Sequence, residues 1–115
     1  MKRILVVDDD PLLRRLILNI LKEEGREVIT ACNGQEGFDL FQLQKIDLVI
    51  TDLEMPFMNG LELIGKIRET SQQEIILLSG NTEFDDIKVP DGVIKIKKPF
   101  SPEVLSSVVQ KMLAD

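Results

Sequence analysis

The stretch Ile4-Leu5-Val6-Val7-Asp8-Asp9-Asp10-Pro11 decides the fold class of this 115-residue chain. Its four consecutive apolar residues are typical of a strand that is covered on both faces, as strands of parallel sheets are. Asp10 and Pro11 suit the N-cap and first position of a helix, so a helix should begin directly after the acidic run. A buried strand that leads straight into a helix is the building unit of an α/β fold.

The same unit recurs along the chain. Strands are predicted at residues 4–7, 27–31, 47–50, 74–78 and 93–97, the third of them ending at Thr51 and Asp52. The first helix carries an apolar stripe until Gly25 stops it, formed by Leu12, Leu13, Leu16, Ile17, Ile20 and Leu21. A last helix opens at Ser101-Pro102-Glu103 and is predicted to turn Val104, Leu105, Val108 and Met112 inward. Between residues 81 and 91 Pro90 restricts the fourth helix to a short or irregular one.

Five such units predict a five-stranded parallel sheet with helices on both faces. The flavodoxin-like, doubly wound order 2-1-3-4-5 is the expected one, and it places ligands at the carboxyl ends of strands 1 and 3. The residues at those two ends are Asp8, Asp9 and Asp52.

The composition of the chain excludes several classes of function. The length fits one domain, residues 1–115, and the net charge of −6 argues against a broad nucleic-acid or anionic-membrane surface. Cys32 is the only cysteine, which excludes an internal disulfide and fits a reducing compartment, so a cytoplasmic location is expected. There is no histidine, which excludes Ser-His-Asp sites, Cys-His sites and histidine-ligated zinc. A phosphohistidine donor would therefore have to be another molecule.

Three carboxylates in one crevice repel each other unless a cation lies among them. Hard oxygen ligands with room for water suit Mg²⁺, and this is the predicted use of Asp8, Asp9 and Asp52. The alternative is that residues 8–10 form only a solvated turn and a helix cap. Asp10, placed before Pro11, is assigned to capping and not to metal binding.

Two further polar residues follow later strands. Lys98 comes after the fifth strand and could pair with Asp52 and later with a phosphoryl oxygen, while Ser79 ends the fourth strand and could donate its hydroxyl hydrogen. Taken alone, Lys98 could be a solvated charge, and Ser79 could be a turn residue beside Gly80. Together with an aspartate nucleophile and a divalent cation, they would supply the positioning and charge neutralisation that phosphoryl transfer requires.

The order of these motifs resembles that of response-regulator receiver domains over nearly the whole chain. The motifs are Val6-Val7-Asp8-Asp9, Asp52-Leu53-Glu54-Met55-Pro56-Phe57-Met58-Asn59-Gly60, Leu78-Ser79-Gly80 and Lys98-Pro99-Phe100. The flavodoxin-like order is itself illustrated by a member of this family.

The resemblance implies a metal site and its ligands. Asp8 and Asp9 match the acidic pair that holds Mg²⁺, and Asp52 matches a further ligand. Glu54 matches the position whose backbone carbonyl reaches the metal.

The resemblance also implies the reaction. Asp52 matches the phosphoacceptor, with Ser79 and Lys98 as the hydroxyl and lysine that assist it. The phosphoryl group would come from the phosphohistidine of a sensor kinase or phosphotransfer protein, and the domain would then change its binding to a downstream protein. Such a domain catalyses only its own phosphorylation and dephosphorylation. The peptide bond between Lys98 and Pro99 is expected to be cis.

One position departs from the family pattern. Lys95 replaces the usual aromatic residue three positions before the lysine. Because burying an ammonium is costly, the Lys95 side chain is predicted to stay exposed on the outer face of the fifth strand. Changes on phosphorylation are then expected at Ser79, at Gly80 and in residues 81–91.

Other readings remain open at this point. A haloacid-dehalogenase-like phosphohydrolase would use residues 8–10 as its Asp-x-Asp motif, but it leaves Asp52 unexplained. A flavodoxin-like electron carrier would place a flavin phosphate against an acidic pair. A degenerate receiver that only binds partners would not need the intact aspartates and Lys98.

Overall fold

Strands and helices alternate throughout the computed structural model, which describes residues 2–81 and 83–114. The strands are β1 (Arg3–Val7), β2 (Glu27–Ala31), β3 (Leu48–Asp52), β4 (Ile75–Ser79) and β5 (Val93–Lys97). The helices are α1 (Pro11–Glu23), α2 (Gly34–Leu43), α3 (Gly60–Arg68) and α4 (Pro102–Leu113), and a 3-10 helix spans Phe84–Asp86. All neighbouring strands pair in parallel, in the order β2-β1-β3-β4-β5. This confirms the predicted α/β fold and its flavodoxin-like order.

Two apolar layers lie on opposite faces of the sheet. One packs alternate strand residues against α2, α3 and the 3-10 helix, and includes Leu5, Val7, Val49, Leu63, Ile67, Leu77 and Phe84. The other packs the remaining strand residues against α1 and α4, and includes Ile4, Val6, Ile17, Leu21, Ile50, Ile76, Leu105 and Val109. Because β3 and β4 are buried along their whole length, their sequences are continuous rather than alternating apolar runs.

The helices begin at residues with capping side chains. The Asp10 carboxylate accepts the Leu12 N–H at 3.0 Å, as its position before Pro11 predicts. Asn59 and Glu62 form a reciprocal capping box at the start of α3. None of the described helices is long and apolar enough to cross a membrane. A cytoplasmic location stays a prediction.

In α1 and α4, some residues of the apolar stripes are not buried. Val104 in α4 was predicted to face inward but is 48% exposed. In the stripe of α1, Leu16 is 48% exposed and Leu12 is 79% exposed. At 3.6 residues per turn, the predicted α4 positions lie within an arc of about 100° with Val104 at one edge, and Leu12 and Leu16 lie at one edge of the wider α1 stripe. In α4 the buried residues are instead Leu105, Val109 and Leu113, so the buried face is centred further around the helix than the predicted positions.

The segment between β4 and β5 is short, as predicted. Its only helical part in the described residues is the 3-10 helix Phe84–Asp86, and Thr82 lies outside those residues. Phe84 is 1% exposed and anchors the segment on the sheet.

The prediction for Lys95 was wrong. Its Nζ donates to the backbone carbonyls of Phe84, Asp85 and Ile87 at 3.0, 3.1 and 2.8 Å, and lies 5.4 Å from the centroid of the Phe84 ring. The residue is only partly exposed, on the same face of the sheet as Leu77, its partner in β4. The Phe84 carbonyl also accepts the Ile87 N–H at 3.1 Å. The ammonium is a further donor to this carbonyl and to those of Asp85 and Ile87, which offsets its loss of hydration.

Gly60 fits α3 against the end of β3. A Cβ at this position would overlap the Asp52 carbonyl oxygen and lie 2.8 Å from Leu77 Cδ1 and 2.9 Å from Leu53 Cα. The requirement is therefore close approach and not an unusual backbone angle, because Gly60 has no positive φ. Gly65, in the same helix, has open space where a Cβ would be.

Replacement of Lys95 tests the bonds to the 3-10 helix. Lys95→Met should keep the apolar stem but leave three carbonyls without their ammonium, which lowers the free energy of unfolding by about 1–3 kcal/mol. Hydrogen exchange should quicken in residues 83–91. The control is Lys97→Met, which removes only an exposed pair 3.9 Å from Asp85 and should change stability by less than about 0.5 kcal/mol. If urea unfolding gave the same free energy of unfolding for Lys95→Met and Lys97→Met, the bonds of Lys95 to the three carbonyls would not contribute to stability.

Replacement of Gly60 tests the close approach of α3. Gly60→Ala should lower the free energy of unfolding by about 1–3 kcal/mol, because backbone must move to admit the methyl group. Gly65→Ala should raise it by about 0.5–1 kcal/mol, because alanine favours a helix interior. Urea unfolding of both variants measures the contrast, and a neutral Gly60→Ala would show that α3 is free to shift.

Candidate functional site

Three aspartates meet at the carboxyl edge of the sheet. Asp8 follows β1 and is buried, Asp52 ends β3 and is buried, and Asp9 is exposed beside them. One carboxylate oxygen from each lies within 4.8 Å of the others. The structure thus brings together the three residues that the sheet order predicted to converge, and Asp10 is directed to its helix cap instead.

Backbone and side-chain contacts hold Asp8 in place. Its Oδ1 accepts the Asp10 N–H at 2.9 Å, and its own N–H donates to the Ala31 carbonyl at 3.1 Å. The Arg14 guanidinium donates to the Asp8 carbonyl at 2.8 Å. The sequence did not single out Arg14, because nothing in the helical pattern distinguishes it from Arg15.

Lys98 reaches the same crevice from the far side. Its Nζ lies 2.7 Å from Asp52 Oδ1, and the lysine side chain is 26% exposed. Its N–H donates to the Ser79 carbonyl at 2.8 Å, which ties the start of the loop after β5 to the end of β4. The Lys98–Pro99 bond is cis, as the resemblance predicted.

Ser79 is fully buried, and its hydroxyl is engaged on both sides. It donates to the Glu54 carboxylate and accepts the Asn81 N–H at 2.9 Å. The sequence predicted a role for the Glu54 carbonyl but none for its side chain. No motif signals this contact, because it depends on the path of the loop after β3. Pro56 and Met58 close a three-residue turn in that loop around Phe57, whose φ is +69°.

Burial makes the carboxylates of the site harder to ionise. It raises the pKa of Asp8 to about 6, an effect opposed by the Asp10 N–H and reinforced by the charge of Asp52. Burial also raises the pKa of Asp52, although the hydrogen bond and charge of Lys98 oppose it. The Lys98 ammonium therefore does not fully offset the effect of burial and of the neighbouring negative charges on these two pKa values.

The site has the donor set that a hard cation requires. All of its candidate ligands are oxygen atoms, and Asp8 Oδ2 is buried with no hydrogen-bond partner among the residues that the structure describes. A divalent cation would satisfy that oxygen and separate the like charges. The residues present thus fit Mg²⁺, which prefers a few carboxylates and completes its shell with water.

Comparison with known proteins agrees with this geometry. The family model for the response regulator receiver domain matches residues 4–110. A chemotaxis protein CheY homologue of Campylobacter jejuni is 37% identical over 96% of this chain and 92% of its own length. A probable transcriptional regulator, ycf27 of Cyanophora paradoxa, is 35% identical over 97% of this chain and 48% of its own length. The chain thus spans about half the length of that relative.

A solved structure supports the same assignment. The response regulator TrrA of Thermotoga maritima, in complex with Mg²⁺-BeF, has a TM-score of 0.91 and 41% identity, and the match covers 98% of this chain and 100% of that one. The haloacid-dehalogenase-like alternative receives no support from these relatives. The chain belongs to the family of response regulator receiver domains of two-component signalling.

Proposed function

We propose that residues 1–115 form a receiver domain in which Asp52 accepts a phosphoryl group. The donor is the phosphohistidine of a sensor kinase or phosphotransfer protein, and the phosphorylated domain changes its binding to a downstream protein. The observation that carries this proposal is the placement of Asp52: it lies at the switch point of the sheet, with the Lys98 ammonium 2.7 Å from Oδ1 and two further aspartates beside it.

In the proposed step, an Asp52 carboxylate oxygen attacks phosphorus and the bond from phosphorus to the donor imidazole breaks. The imidazole nitrogen keeps the electron pair and is protonated, while Asp52 becomes an acyl phosphate. Lys98 exchanges its contact with the carboxylate for one with a phosphoryl oxygen, and Ser79 donates its hydroxyl hydrogen to another. This chain catalyses only its own modification, so it is not an enzyme toward other substrates.

We assign Mg²⁺ to Asp8, Asp9, Asp52 and the Glu54 backbone carbonyl. The buried, unpartnered Asp8 Oδ2 and the raised pKa of Asp8 support a cation at this edge. The complex of the Thermotoga relative with Mg²⁺-BeF supports the choice of ion. The bound ion would neutralise charge between the carboxylates and the incoming phosphoryl group.

The proposed partners are proteins. These 115 residues contain no histidine, so the donor imidazole lies outside them. The net charge of −6 disfavours direct contact with nucleic acid or anionic membrane.

Replacement of Asp52 tests the acceptor. Incubation with Mg²⁺ and acetyl phosphate should add one phosphoryl mass to the wild-type chain and none to Asp52→Asn, because an amide is a poor nucleophile. The control Asp91→Asn changes an exposed aspartate and should be phosphorylated like the wild type. Intact-protein mass spectrometry measures the yield. Normal uptake by Asp52→Asn would overturn the assignment.

The pH dependence of stability tests the crowding of the carboxylates. The pKa of Asp8 is raised from its ordinary 3.8 to about 6, so between these values the folded state binds more protons than the unfolded state. The free energy of unfolding of the metal-free protein should therefore fall as pH rises through that window. Asp8→Asn should reduce this fall by on the order of 1–3 kcal/mol, since asparagine does not titrate. Asp91→Asn serves again as the control.

Urea unfolding in a chelator at pH 4.5 and pH 7 provides the measurement. If Asp8→Asn and the wild type lost the same stability between the two pH values, Asp8 would not be the group that titrates.

A further inference from the structure

The Glu54 side chain makes a contact that the metal assignment does not use. Its carboxylate accepts the hydroxyl hydrogen of Ser79, a fully buried residue across the crevice on β4. A serine hydroxyl has one hydrogen to donate. While that hydrogen bond persists, Ser79 has no donor left for any other acceptor.

This contact conflicts with the role of Ser79 in phosphorylation. An ionised phosphoryl oxygen only accepts hydrogen bonds, so Ser79 can bind it only by releasing Glu54. The charge of Glu54 also acts on the acceptor: after burial, the charges of Glu54 and Asp9 contribute to raising the pKa of Asp52. A phosphoryl group on Asp52 adds negative charge and repels the same carboxylate.

The contact also reaches the segment after β4. The Ser79 hydroxyl accepts the Asn81 N–H at 2.9 Å, so one oxygen joins the Asp52 loop to the first residues of that segment. If Ser79 turns toward Asp52, both the Glu54 carboxylate and the Asn81 N–H lose their partner.

We propose that the Glu54 carboxylate is a positioning residue that holds the Ser79 hydroxyl away from Asp52 in the unphosphorylated protein. Phosphorylation then requires exchange of the Ser79–Glu54 hydrogen bond for a Ser79–phosphoryl hydrogen bond, with release of Asn81. The proposal deepens the proposed function and rests on it. It assigns to the Glu54 side chain a task separate from that of its backbone carbonyl.

The first test uses the metal-free protein and needs no phosphorylation. Three-bond couplings measured by NMR should show one χ1 rotamer for Ser79 in the wild type and averaging among rotamers in Glu54→Ala. The Asn81 amide should exchange faster in this variant, on the order of tenfold, because its acceptor has moved. Glu54→Gln retains an oxygen acceptor and should stay closer to the wild type in both measurements.

The second test is kinetic, with acetyl phosphate and saturating Mg²⁺. Glu54→Ala should be phosphorylated on the order of tenfold faster, because no hydrogen bond to a charged group has to be broken. Glu54→Gln should be intermediate. If charge repulsion alone mattered, the two variants would be equally fast. Glu83→Ala removes a negative charge from an exposed residue near Asn81 and should remain within about twofold of the wild type.

A double-mutant cycle separates positioning from general electrostatics. In a Ser79→Ala background, Glu54→Ala should no longer accelerate phosphorylation, because the two residues act through one bond. Acceleration that persists in this background would overturn the proposal, as would a single Ser79 rotamer and an unchanged rate in Glu54→Ala. Failure of the proposed function would be distinct: the wild-type protein itself would take up no phosphoryl group.

Discussion

Asp52 and Lys98 meet at the carboxyl edge of the sheet, with 2.7 Å between Oδ1 and Nζ. The carboxylate is buried at the end of a strand that has no exposed face, so its ionised form is disfavoured there and a nearby cation offsets part of that cost. The lysine compensates only in part, because the pKa of Asp52 is still raised by burial. The carboxylates that remain uncompensated give this edge the donor set that a divalent cation prefers.

The rest of the fold serves to keep this edge assembled. Parallel strands end on one side of the sheet, so residues far apart in sequence, such as Asp8 and Ser79, face the same crevice. The layers on the two faces hold the strands at fixed register, and Gly60 lets α3 begin against the Asp52 carbonyl. A close-packed core has low compressibility, so the strand ends that carry the site residues are held in fixed positions.

Sequence reasoning was most successful where a pattern has one structural meaning. Apolar runs between turn signals located the first four strands, and the alternation of apolar and charged residues located the fifth. The order of the sheet followed from connection rules that apply to any α/β chain. The converging aspartates and Lys98 followed from that order. The side chain of Glu54 was missed because its partner is set by the path of an irregular loop, for which the sequence carries no period.

Errors arose where burial depends on a neighbouring element that the pattern does not describe. Val104 belongs to an apolar stripe, but the buried face of α4 is centred further around the helix, on Leu105, Val109 and Leu113. Lys95 was predicted to lie in solvent because a buried ammonium is costly, but three backbone carbonyls of the 3-10 helix and the residue after it accept its hydrogen bonds. These acceptors depend on the path of the segment between β4 and β5, for which the sequence carries no periodic pattern.

The three carbonyls around Lys95 also limit how parts of this domain can be exchanged with those of its relatives. An aromatic ring at position 95 would remove the ammonium from all three carbonyls, and a longer helix between β4 and β5 would move them away from it. The identity of residue 95 and the length of the segment between β4 and β5 therefore depend on each other. In the design of chimeric receivers, the two have to be transplanted together.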